Sequence, residues 1–95
     1  MSSRFQSTAM HMRVNVKLLG WMREFLGDGI THFDDQDFDL ADGQTLGQLV
    51  NQLGFRTETQ FMAMQNGDRV LDSALDTTPL HDGDQVLFVP PLKGG

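Results

Sequence analysis

The 95-residue sequence has no cysteine. A disulfide framework and a thiolate metal site are therefore both excluded. Positive charge is scarce, with seven Lys and Arg against thirteen Asp and Glu and a net charge of −6 at pH 7. That balance argues against nucleic acid as a partner, which would call for a basic face. It favours a partner with a basic docking surface, although solubility alone would account for the same charge. No apolar run is long enough to cross a bilayer, and the first twelve residues lack the continuous apolar stretch of a signal peptide. The composition predicts one small cytoplasmic domain with a modest core, built from 39% hydrophobic residues that include seven Phe and one Trp.

Residues 1–11 are polar and without periodicity, which predicts a flexible extension and a domain running from 12 to 89. Val14, Val16 and Leu18 alternate with Asn15 and Lys17, the pattern of a half-buried strand. Residues 21–26 change to helical spacing, with Trp21, Phe25 and Met22 on one face of a short helix stopped by Gly27 and Gly29. Phe38 and Leu40 stand two apart among acids, which predicts an edge strand protected by charge. The four aspartates in residues 34–39 lack the glycine and terminal glutamate of a calcium loop. Thr45 and Gln48 form a capping box, and Leu46, Leu49, Val50 and Leu53 continue it as one apolar helix face ending at Gly54. Asn66-Gly67 between apolar runs predicts a tight hairpin. Thr78-Pro79-Leu80 reads as a short turn or 3₁₀ piece, and the turn at 81–84 feeds a last strand over 85–89.

The element order is thus strand, short helix, strand, capped helix and three strands. It predicts an α+β fold, a β-grasp sheet with one main helix across it. A ferredoxin-like fold is the alternative, but it needs a second full helix between 72 and 84. The Asp, Thr, Pro and Gly content there opposes one.

Catalytic candidates are few. His11, His32 and His81 show no metal-ligand spacing, no Ser-His-Asp set is supported, and Gly27-Asp28-Gly29 lacks the lysine of a phosphate loop. Asp68, Asp82 and Asp84 sit in turns, where such residues commonly accept bonds from nearby backbone amides.

What stands out is the run Leu87-Phe88-Val89-Pro90-Pro91-Leu92-Lys93-Gly94-Gly95. Pro90 and Pro91 fix φ and withhold two amide donors, so they stop the strand and stiffen the base of a tail covering 90–95. In polyproline-II geometry that tail would reach about 18 Å. Gly94 and Gly95 can lie flat in a channel too narrow for side chains. The free carboxylate of Gly95 is a group that an ATP-using partner can convert to an acyl adenylate.

The turn-strand-tail run from His81 to Gly95 resembles the MoaD/ThiS family of ubiquitin-like sulfur carriers, with its Gly-Asp turn, apolar strand, Pro-Pro and terminal Gly-Gly. Further matches are residues 14–18, Arg23-Glu24, Thr45-Leu46 through Leu53, and Asn66-Gly67. The double proline is most similar to the small subunit of molybdopterin synthase. The resemblance implies that an E1-like adenylyltransferase activates Gly95 with ATP, that a sulfur donor makes it a thiocarboxylate, and that the large synthase subunit or an equivalent acceptor takes the sulfur. It implies no stably bound cofactor and no metal. Gly95 would carry the atom, and Gly94, Pro90 and Pro91 would position it. Phe88, Leu92 and Lys93 would be candidate partner contacts, with the core as the other place for Phe88. Lys93 stands where small residues are common in the family. With no cysteine available, the carboxylate is where sulfur would be held. Thiamine synthesis and conjugation to proteins remain alternative destinations for the same chemistry.

Overall fold

The computed structural model describes residues 11–55 and 60–90. The flexible extension expected over 1–11 lies outside them except for His11, and the tail calls on Pro91, Leu92, Lys93, Gly94 and Gly95 lie outside them altogether. Five strands form one mixed sheet: β1 (His11–Leu18), β2 (Asp35–Ala41), β3 (Met62–Gln65), β4 (Asp68–Val70) and β5 (Gln85–Val89). Their spatial order is β2-β1-β5-β3-β4, with β1 and β5 parallel and every other pair antiparallel. The single α-helix among the described residues, α1 (Leu46–Leu53), lies across one face. This is the expected β-grasp arrangement.

The helix forms where its local chemistry is strongest. Thr45 Oγ1 accepts from the Gln48 amide at 3.2 Å, and Gln48 Oε1 accepts from the Thr45 amide at 2.8 Å. Two donors that the first turn leaves without intrahelical partners are thereby satisfied. At the other end Gly54 takes the left-handed conformation, φ +77°, and donates to Val50 and Asn51. Leu46, Leu49 and Leu53 are buried against Met12, Val14, Val16 and Leu18 of β1, Leu40 of β2, Ala63 of β3, and Val86 and Phe88 of β5. Phe55, Phe61 and Phe88 close one side of this core with ring centroids 5.3–5.5 Å apart, two of the three pairs edge-to-face.

The Asn66-Gly67 hairpin is present between β3 and β4, with φ of +52° and +89° at its two turn residues. Positive φ at both positions is the mirror-image turn whose twist suits a two-residue hairpin. No full helix occupies the stretch after β4. A six-residue 3₁₀ segment, Asp72–Thr77, stands there instead, and Thr78-Pro79-Leu80 follows it in extended form, Pro79 bridging to Thr45.

The first helical segment differs from expectation. It is a four-residue 3₁₀ turn, Met22–Phe25, with Met22 fully buried, Phe25 half-buried, and Trp21 outside the turn and 39% exposed. Gly20 at φ +56° reverses the chain ahead of the turn. The three-residue period of 3₁₀ geometry then aims Met22, and not Trp21, at the core.

Candidate functional site: the base of the C-terminal tail

The strand that leads to the tail is central. β5 pairs with β1 from Asn15↔Gln85 to Leu18↔Phe88, and with β3 from Gln65↔Val86 to Met62↔Val89. Period-two alternation turns Val86 and Phe88 into the core, both fully buried, and leaves Leu87 and Val89 half-buried on the opposite face. Phe88 is therefore corrected from a candidate partner contact to a core residue. Pro90, the first residue of the tail and the last one described, follows half-buried.

A buried carboxylate holds the start of β5. Asp84 is 7% exposed. Its Oδ2 accepts from Gln65 Nε2 at 2.7 Å and from the His81 amide at 2.8 Å, and its Oδ1 accepts from Asn66 Nδ2 at 2.8 Å. His81 Nδ1 lies 3.8 Å away. Burial is the strongest single influence on this carboxyl and pushes it up. The bonds from Asn66, Gln65 and the His81 amide, with the charge of His81, together outweigh burial and hold it below the ordinary aspartate value. Asn66 completes the link by accepting from the Gln85 amide at 2.9 Å. One side chain thus ties the hairpin turn, the 81–84 turn and β5 together. A turn aspartate was legible in the sequence, but donors 18 and 19 residues away were not.

The face of the sheet away from α1 carries a graded surface. At its β2 edge, Asp39, Asp37 and Asp35 stand opposite Arg13, Asn15 and Lys17. Asn15 Nδ2 donates to Asp35 at 2.7 Å and to Asp37 at 2.9 Å, and Arg13 Nε to Asp39 at 3.3 Å. The aspartates therefore serve as an exposed, charged strand edge. Among the described residues no three His, Asp or Glu side chains gather as a metal site. Arg23 pairs with Asp34 at 2.7 Å, and the bond and charge of Asp34 raise the guanidinium pKa. Toward the centre the surface becomes apolar: Leu19, Met64 and Leu87, with Lys17, Gln85 and Gly67, line a shallow concavity of about 340 Å³. The sequence held the signal for this. Residues 86–89 are apolar on both sides of the strand, whereas a strand with one solvated face alternates.

A β-grasp sheet with one capped helix and a central strand running into a proline defines the class, a ubiquitin-like domain. The ThiS family model matches residues 16–95, and the chain belongs to that family, the ubiquitin-like sulfur carriers and modifiers. Solved structures share the fold at low identity. The HVO 2177 protein of Haloferax volcanii superimposes with a TM-score of 0.68 at 21% identity, over 90% of this chain and 89% of that one. SAMP1 from Haloferax volcanii gives 0.61 at 16% identity, over 87% and 99%. The thiamine biosynthesis protein ThiS of Geobacter metallireducens gives 0.56 at 22% identity, over 85% and 99%. The comparison with curated proteins finds no match. Among the described residues no helix is long and apolar enough to cross a membrane.

Proposed function

We propose that this chain is a sulfur carrier whose Gly95 carboxylate is activated and thiocarboxylated by a separate enzyme. The observation that carries the reading is the family match, which runs through Gly95 itself. The carboxylate would attack the α-phosphorus of ATP bound to an E1-like adenylyltransferase and expel pyrophosphate. A sulfur nucleophile from a donor would then displace AMP from the acyl carbon. Residues Gly94, Pro90 and Pro91 position the reacting group, and Leu92 and Lys93 are the tail's contacts with a partner. The apolar concavity at Leu19, Met64 and Leu87, bordered by the β2 aspartates, suits a partner with an apolar patch beside basic residues. ATP belongs to the activating partner, and a cytoplasmic setting is part of the same proposal.

For the acceptor we propose the large subunit of molybdopterin synthase, on the strength of the Pro90-Pro91 pair at the base of the tail. The fold matches to SAMP1 and ThiS favour a second reading, a protein modifier or a thiamine-pathway carrier. Intact-mass analysis after incubation with the adenylating enzyme, ATP and a sulfur source tests the carrier reading. The expected result is replacement of one oxygen by sulfur on the C-terminal peptide, lost on deletion of Gly95 with the fold retained. An unchanged mass would overturn it. Isopeptide-linked conjugates that disappear with Gly95 would instead identify a modifier.

A further inference from the structure

The parallel ladder between β1 and β5 stops at a defined place for a chemical reason. The Leu19 amide donates to the Phe88 carbonyl at 3.0 Å, one step past the last β1 pair. In a parallel ladder the next bond would run from the amide of residue 90 to the Leu19 carbonyl. Residue 90 is proline and has no N–H. The Leu19 carbonyl instead accepts from the Met22 amide at 3.0 Å, closing the turn that leads into the 3₁₀ segment. The corner between them is Gly20, at φ +56°. A Cβ built on Gly20 would lie 3.1 Å from Cγ and 3.7 Å from Cδ of Pro90, so the proline ring packs against the bare glycine in a contact that a Cβ would make too tight by a few tenths of an ångström.

We infer that Gly20 is a positioning residue for the C-terminal tail: its missing side chain lets Pro90 pack into the Leu19-Gly20 corner and sets where the chain leaves the sheet. The inference rests on the carrier reading, because only there does the exit direction affect a reaction. Two requirements meet at this glycine. The left-handed backbone is one that Asn also tolerates, as Asn66 does in this protein at φ +52°. The Pro90 seat is one that glycine fills without displacing the ring, whereas a Cβ must push the ring aside. Gly20→Asn therefore keeps the first requirement and violates the second.

The test uses the full chain with the adenylating enzyme encoded in the same genome, read by ATP–pyrophosphate exchange. The carrier is that enzyme's substrate. A variant that merely folded less well would lower the concentration of competent substrate and raise the apparent KM. A misaimed tail on an intact docking face would lower kcat with KM held. Gly20→Asn is expected to retain a dispersed amide spectrum, to weaken the nuclear Overhauser contacts between residues 20 and 90, and to lower kcat about tenfold with KM within about twofold. In a Pro90→Ala background, which removes the ring atoms, the same substitution should cost distinctly less. A folded Gly20→Asn chain with unchanged kcat, or with only a raised KM, overturns the inference and leaves the carrier reading standing. Absence of exchange with the wild-type chain overturns the carrier reading first, and this inference with it. Should Gly20→Asn fail to fold, Pro90→Ala carries the test: it empties the seat and restores an amide that competes with Met22 for the Leu19 carbonyl, so both changes loosen the same corner. The expected loss is again in kcat, and an unaltered kcat refutes the role.

Discussion

Replacing Asp84 by asparagine tests whether the buried carboxylate at the head of β5 holds the sheet together. Oδ2 accepts two bonds, from Gln65 and the His81 amide, and Oδ1 accepts one, from Asn66. An amide is least disruptive with its NH₂ at the Oδ1 position, where one accepted bond becomes a donor facing a donor. The other two bonds lose their charge assistance. Bonds to charged groups contribute about 1.5–3 kcal/mol, so one lost and two weakened correspond to about 2–3 kcal/mol. At about 4–8 °C per kcal/mol in a domain of this size, Tm should fall by roughly 10–20 °C at neutral pH. The pH dependence supplies a second readout. Because the folded carboxyl is held below its ordinary value, its contribution is fully present above the unfolded-state pKa of about 3.9 and is lost as pH falls through the folded pKa. The gap between wild type and Asp84→Asn should therefore persist from pH 7 to about pH 5 and close below about pH 4. Thermal melts by circular dichroism across that range decide it. A Tm change within about 2 °C at neutral pH, or a gap that does not narrow in acid, refutes the reasoning.

Gly47→Ala reverses the usual sign of a helix substitution. Alanine gains up to about 1 kcal/mol in helix propensity, but its Cβ would fall on the Asp76 carboxylate and lie 3.1 Å from the Asp76 Cα. Overpacking of about 1–3 kcal/mol should win, lowering the urea midpoint. Thr45→Ala removes half of the capping box and should cost about 1 kcal/mol, with strong coupling to Gln48→Ala in a double-mutant cycle. Leu87→Asp places a charge in the open-face concavity while leaving the inward Val86 and Phe88 in place. Melting should stay cooperative while the activating enzyme's affinity, measured by calorimetry, falls at least about tenfold.

The features read correctly from the sequence are those whose physics is local. The Thr45–Gln48 box, the Asn66-Gly67 turn and the alternation of Val14, Val16 and Leu18 each involve residues within a few positions of one another, and each appears in the structure as expected. The misplaced residues depend on distant partners or on a change of helical period. Trp21 leaves the face it was expected to share with Met22 because a left-handed glycine and a 3₁₀ turn set which residue reaches the core. Phe88 lies in a strand apolar on both faces, so alternation defined two sets of side chains without saying which was buried. Asp84 looked like any turn aspartate until folding brought Gln65 and Asn66 to it. The open-face concavity likewise exists only once β1, β3 and β5 are side by side.

The restraints on β5 lie at its two ends, and their placement bears on how a carrier domain works. At the start, Asp84 binds the hairpin turn, the Gly83 amide donates to the Arg13 carbonyl at 2.8 Å, and the Arg13 amide donates to Asp82 at 2.8 Å. At the finish, Leu19 bonds to Phe88 and Pro90 seats on Gly20. Between these points the strand is paired on both sides, which no edge strand of this sheet can be. A partner that draws on the residues after Pro90 would load a strand already fixed along its length, with no ordering cost from β5 itself. On the carrier reading, reactivity should vary with the tail residues and with the Gly20 corner, whereas stability should vary with Asp84, Thr45 and Gly47. Substitutions in the two groups should be additive in the free energies they change, since they share no contact. Coupling between Asp84→Asn and Gly20→Asn in kcat would mean that β5 slides or tilts as one piece when the tail is engaged.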